Sequence, residues 1–144
     1  MVGLDTNVIV RYITQDDDMQ ALKATKVIEN RLSARDPGFI TLITLVEITW
    51  VLESCYDQNK QDILNVLHGL LTTKQLIVER ADIAYLAIKR CLASPKADFS
   101  DAVITVLSEH EGCSQVLTFD KKAKSVGMEL LKNAVRPFSA SPDS

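Results

Sequence analysis

Four acidic positions have the types and spacing that chemistry on phosphates would use. Asp5 stands in "VGLDTNVIV", between an apolar strand-like run and the apolar start of a helix. Read this way it is a buried carboxylate, which must be neutralised, hydrogen-bonded or paired with a cation. Asp120 repeats the arrangement at the end of "VLTFD". Ligands of open parallel α/β sheets bind outside the carboxyl ends of the strands, so both aspartates fall where a ligand is expected. Either one alone could equally cap the helix that follows it.

Glu47 interrupts "FITLITLVEITWVL". With Leu45, Ile48, Leu52 and Cys55 on one helical stripe, Glu47 falls about 120° away, between apolar neighbours. It is either a solvated edge residue or projects over the sheet end towards Asp5. The fourth position lies in "KADFSDAVI". Asp98 is placed as an N-cap and Asp101, three residues on, falls in the first turn, as in a capping box. Asp101 shares a helix face with Ile104, Thr105 and Ser108 and is the preferred ligand, with Asp98 an auxiliary acting through water. Carboxylates gathered at short range raise one another's pKa, and a hard divalent cation relieves the conflict. Oxygen-only donors favour Mg²⁺ or Mn²⁺ over zinc. One such ion, or two ~4 Å apart, activates water and stabilises the oxygens of a phosphodiester in hydrolysis.

The elements that must position these acids can be read along the chain. Strand-like runs "VGLD", "PGFITL", "QLIVE", "SQVLTFD" and "MELL" alternate with helical stretches. The latter begin at "TNVIVRYI", "DDDMQALKATKVIENRLS", "TLVEITWVLESCY", "DQNKQDILNVLHGLL", "ADIAYLAIKRCLA" and "DFSDAVITVLSEHEG". In the second helix Met19, Leu22, Val27 and Ile28 form the apolar stripe, and Asp16 to Asp18 cap its start. Strands separated by helices of this length imply an α/β fold with a central, mostly parallel sheet covered on both faces.

At 144 residues the chain suits one domain, taken as 1–138, with 139–144 ("SASPDS") a frayed tail. Its 47% hydrophobic and 24% charged residues allow a sizeable core. The net charge of −3 argues against coating nucleic acid by bulk charge. Cys55, Cys91 and Cys113 form no CxxC pair and no zinc-like pattern with His68 or His110, so buried free thiols in a reducing cytoplasm are expected. "MVGLD" lacks the basic start of a signal peptide, and the most apolar stretch is too short to span a membrane. These features point to a cytoplasmic protein.

The ordered set "LDTNVIV", the glutamate of "VEITWVL", "DFSDAVI" and "LTFDKKA" resembles the PIN-domain nucleases, and most nearly the VapC-type toxins of toxin–antitoxin pairs. The resemblance runs from Met1 to about Leu131. It implies a three-layer α/β/α sandwich and Mg²⁺- or Mn²⁺-dependent cleavage of RNA. It carries the family's acidic set onto Asp5, Glu47, Asp101 and Asp120, with Asp98 in a looser variant. It also makes Thr6 and Asn7 the residues that orient Asp5, and puts Thr118 near the metal pocket. Arg11 matches a family position that would bind substrate phosphate or an antitoxin carboxylate, against the alternative of a structural ion pair. Homodimers and a silencing antitoxin that fills the active-site groove are further implications. The helices bearing Trp50, Tyr56 or Leu67 would offer the apolar surface for such partners.

Lys121, Lys122 and Lys124, with Lys96, are placed to hold the phosphates that flank an acidic pocket. No aromatic-interleaved strand for reading bases is present. A haloacid-dehalogenase-type phosphatase would want a second acid in place of "DTN", and a receiver domain an acidic pair after its first strand. A housekeeping RNA-processing nuclease of the same family, or a PIN fold that binds without cleaving, remain the alternatives.

Overall fold

The computed structural model describes residues 1–131. Three short strands, β1 (Val2–Gly3), β2 (Gly38–Ile40) and β3 (Leu76–Val78), form a parallel ladder in the order β1-β2-β3. Val2 lies opposite Gly38, and Gly38 opposite Leu76. A second parallel ladder pairs β4 (Leu117–Thr118) with β5 (Glu129–Leu130). Every pairing among the described residues is parallel, as expected, but the strands divide into two ladders and are shorter than their apolar runs.

Helices fill the crossovers: α1 (Thr6–Thr14), α2 (Asp18–Thr25), α3 (Leu42–Tyr56), α4 (Lys60–Leu71), α5 (Ala81–Leu92) and α6 (Phe99–His110). The chain has the α/β/α architecture that its alternating pattern implies. One core holds it together. Ile9, Ile28, Ile40, Leu45, Ile48, Leu52, Leu67, Ile83 and Val106 are all fully enclosed in it. Gly38 is glycine because β2 runs through the tightest part of that core. A Cβ there would stand 2.7 Å from Leu4 and 2.8 Å from Leu32 side-chain carbons.

Several local expectations change. The second helix buries Ala21, Ala24, Ile28 and Leu32, whereas Met19 and Leu22 are exposed. Small residues let α2 approach α1 closely, and the stripe then shifts through a wider π-helical turn, Lys26–Arg31. Of the three acids at its start, Asp17 is the N-cap, accepting from the Gln20 N–H, and Asp18 sits in the first turn. Asp16 instead accepts from the Tyr56 hydroxyl at 2.7 Å, from Thr14 and from Arg11, and these partners hold its carboxyl down at about 2. Cys91 is buried, but Cys55 and Cys113 are exposed; all three are free. Leu67 belongs to the core, and Tyr56 spends its hydroxyl on Asp16, so of the three residues expected to offer a partner surface Trp50 is the one that stands exposed. No helix among the described residues is long and apolar enough to cross a membrane. The expected domain boundary at 138 and the tail lie outside the described residues.

Candidate active site

Asp5 leaves β1 and becomes the N-cap of α1, its Oδ1 accepting from the Thr6 N–H at 2.8 Å. The side chain is exposed, which overturns its reading as a buried carboxylate. β1 is too short and too near the edge of its ladder to carry Asp5 into the core. The capping bond satisfies one carboxylate oxygen and leaves the rest of the group free.

Thr6 is buried, and its hydroxyl donates to Glu47 Oε1 at 2.7 Å. This bond joins residues 41 apart in sequence, so the first turn of α1 and the second turn of α3 meet beside Asp5. Thr6 therefore touches Asp5 through its backbone and steadies Glu47 with its side chain, a division of labour that the resemblance did not imply. Glu47 is half-buried, placed on α3 by Thr41, which caps the helix by accepting from the Thr44 N–H. The Glu79 carboxylate at the end of β3 accepts from the Leu42 N–H and is thereby committed to the same helix start. Asn7 is exposed.

Asp98 caps α6 as expected, its Oδ1 accepting from the Asp101 N–H at 3.0 Å and from the Ser100 hydroxyl at 2.7 Å. Desolvation opposes its charge, but the Asp101 N–H, Ser100 and nearby Lys60 outweigh it and hold the carboxyl below the usual range. Asp101 has the opposite balance. Desolvation first, then the charges of Asp98 and Asp120, push it up to about 6. Asp101 thus feels the charges of both Asp98 and Asp120, although Asp120 enters from the other ladder. Asp120 follows β4, its own N–H donating to Thr118 Oγ1 and its Oδ1 accepting from the Lys122 N–H. Thr118 thereby fixes the turn that carries Asp120. Lys121 and Lys122 open the 3₁₀ turn Lys121–Val126 and are both exposed.

The two halves of the acidic set share a wall. Glu47 on α3 and Ser100, between Asp98 and Asp101 on α6, line one groove of about 470 Å³. Its remaining lining is mostly apolar, including Ile43 and Ile104, which are more than half exposed.

A model of the PIN domain family matches residues 2–128. The chain belongs to the PIN domain family. Among curated proteins and solved structures, no match is found. PIN domains are generally nucleases that use divalent metals, and the donors of this PIN domain suit that use. They are carboxylates, while His68 packs near Tyr85 and His110 bonds the Val106 carbonyl, both away from the acids. The side chains do not close into a ready cage. Among the described residues no three His, Cys, Asp or Glu side chains are grouped to hold an ion. Asp5, Asp98 and Asp120 each turn Oδ1 onto a backbone N–H, which anchors the carboxylate and leaves Oδ2 to project from it.

Arg11 stands apart from this set. Its Nε donates to Gln20 Oε1, and its Nη1 to Asp16 and the Tyr56 hydroxyl. That network ties α1 to α2 and to the end of α3. What sequence reasoning did not pick out is Ser100, whose hydroxyl steadies Asp98, and the buried contact of Thr6 with Glu47. "DFSD" carries a serine two residues after a cap, a common side-chain bonding pattern; the Thr6–Glu47 bond leaves no local signal.

Proposed function

We propose that the chain is a divalent-metal-dependent endoribonuclease, hydrolysing RNA phosphodiester bonds with Mg²⁺ or Mn²⁺. Asp5, Glu47, Asp101 and Asp120 would hold the ion, with Asp98 joining directly or through water. The observations that support this most are the hydrogen bonds from Asp5 and Glu47 to Thr6, the groove that Glu47 shares with Ser100 beside Asp98, and the charges of Asp98 and Asp120 acting on Asp101. A bound ion supplies Lewis-acid polarisation of the phosphate and an activated water. The residues' own part is to bind and orient. Thr6 holds the Glu47 carboxylate, Ser100 holds Asp98, and Thr118 fixes the Asp120 turn. Lys121 and Lys122 would hold substrate phosphates beside the acids, a role that suits them better than Arg11, whose Nε and Nη1 are engaged within the fold.

As in the toxins it resembles, we take the chain to be the toxin of a toxin–antitoxin pair, acting as a homodimer in the cytoplasm. The apolar groove between α3 and α6, with Ile43 and Ile104 exposed, is the kind of surface that a second copy would cover. Incubation of the protein with single-stranded RNA, with Mg²⁺, Mn²⁺ or chelator, tests the activity. Metal-dependent internal cleavage supports the reading; RNA binding without cleavage in either metal would overturn it in favour of a non-cleaving module.

A further inference from the structure

Phe119 is the most exposed of the large apolar side chains among the described residues, at 82%. It stands between Thr118 and Asp120, where β4 ends and the acidic set begins. Its backbone is held on both sides. The Leu131 N–H donates to the Thr118 carbonyl at 2.9 Å, and the Asp120 N–H donates to Thr118 Oγ1 at 3.0 Å. The Asp120 carbonyl then accepts from the Ala123 N–H in the 3₁₀ turn. A side chain this open adds little burial to the fold, yet the chain beneath it is fixed.

The residues that follow this ring are charged rather than apolar. Asp120 comes next, and Lys121, Lys122 and Lys124, all exposed, lie within the next five residues. Leu117, which opens β4, lines a groove with Lys124, Met128 and Leu130, and Phe119 lies outside it. An exposed aromatic with cations beside it matches single-stranded nucleic acid, whose bases stack and whose phosphates pair with ammonium groups. A protein partner would call instead for a contiguous apolar patch around the ring. Stacking also suits this place electrostatically. Carboxylates repel a phosphate chain, whereas a neutral ring and a neutral base attract regardless of the charges beside them.

We propose that Phe119 is a stacking platform, holding one base of single-stranded RNA next to the bond to be cut. The proposal rests on the nuclease reading for its choice of RNA. Consecutive Cα atoms lie ~3.8 Å apart, so the ring and the Asp120 carboxylate spring from one short piece of fixed backbone. A strand whose phosphate reaches the acids therefore brings a neighbouring base to the ring. Every base has a flat π-face, so the platform positions the strand without choosing its sequence. A lone aromatic of this kind holds a base and does not read it. The charges of Lys121 and Lys122 would serve the flanking phosphates, a separate contribution that salt would screen.

The test is fluorescence anisotropy with the full chain and two labelled probes, octauridylate and an abasic ribose-phosphate octamer. Chelator is present, which separates binding from cleavage. Phe119→Leu keeps an apolar side chain and removes the flat ring. Since that ring is exposed, the melting temperature should match wild type. Affinity for octauridylate should fall roughly tenfold, with the abasic octamer bound as before and the salt slope unchanged. Phe119→Trp should restore octauridylate binding. Equal octauridylate affinity in wild type and Phe119→Leu would overturn the proposal, as would no binding by either or an equal loss for the abasic octamer. A Phe119→Leu protein that binds RNA normally but changes its oligomeric state in sedimentation would assign the ring to a protein contact instead. Metal-dependent cleavage by wild type alongside ring-independent binding would overturn the platform alone. Ring-dependent binding by a protein that never cleaves RNA would uphold the platform and sink the nuclease reading.

Discussion

The Thr6 hydroxyl donates to Glu47 Oε1 at 2.7 Å, and this one bond holds the start of α1 against the middle of α3. Thr6→Val keeps the shape of the side chain and removes the donor. It should cost about 1–2 kcal/mol in urea unfolding and weaken Mg²⁺ binding, read by isothermal titration. Thr6→Ser should restore both. Mg²⁺ affinity equal to wild type in Thr6→Val would show that Glu47 needs no steadying.

Asp101 gives the site a pH signature. Its folded value of about 6 lies above that of the unfolded chain. Its contribution to the stability of the ion-free protein is therefore fully present below the unfolded value and lost as pH rises through about 6. Asp98 works the other way, its contribution present above the unfolded value and lost as pH falls through the lowered folded one. Melting curves across this range should show ion-free protein losing stability towards neutral pH, with the decline absent in Asp101→Asn. Mg²⁺ should reverse the trend, because it favours the charged form and releases about half a proton per ion at pH 6.

Asp5→Asn tests the acid that begins the set. Asparagine caps a helix as well as aspartate does, so circular dichroism and melting temperature should stay close to wild type. Cleavage of RNA should fall by ~10³-fold or more once one anionic ligand is gone. Full activity in a folded Asp5→Asn protein would leave Asp5 as a cap and nothing else.

Lys121 and Lys122 should act through charge. The double substitution to alanine should raise KM for RNA with little change in kcat. It should also flatten the dependence of log KM on log salt by about 1.4, since neutralising one phosphate of a single strand accounts for ~0.7 of that slope. An unchanged salt slope would return both lysines to the role of solvated surface charge. Arg11→Gln, by contrast, should leave that slope alone and loosen the packing of α1 on α2.

How much of this was legible in the sequence depends on how far apart the determining residues lie. Asp98 as a cap and Asp101 in the first turn follow from spacing within four residues, and both are found. The strands before Asp5 and Asp120 follow from short apolar runs, though not their division into two ladders, which depends on pairing between distant segments. The face of α2 is misjudged because periodicity favours Met19 and Leu22, whereas close packing on α1 selects Ala21 and Ala24. Asp5 reads as buried because its neighbours are apolar, yet a strand of two residues ends before it reaches the interior. The bond from Thr6 to Glu47 depends on where α3 comes to lie, and no local pattern encodes that.

Three of the acids are helix caps, at the starts of α1, α6 and the 3₁₀ turn. If the chain is a nuclease, a descendant that had stopped cleaving would still be held to a capping side chain at positions 5, 98 and 120, aspartate or asparagine alike, by the need to fold. Glu47 and Asp101 cap nothing and would be the first to drift. Set beside other chains, those two positions distinguish a working catalyst from an inherited scaffold, and a capping residue at the second place of "LDTN" does not.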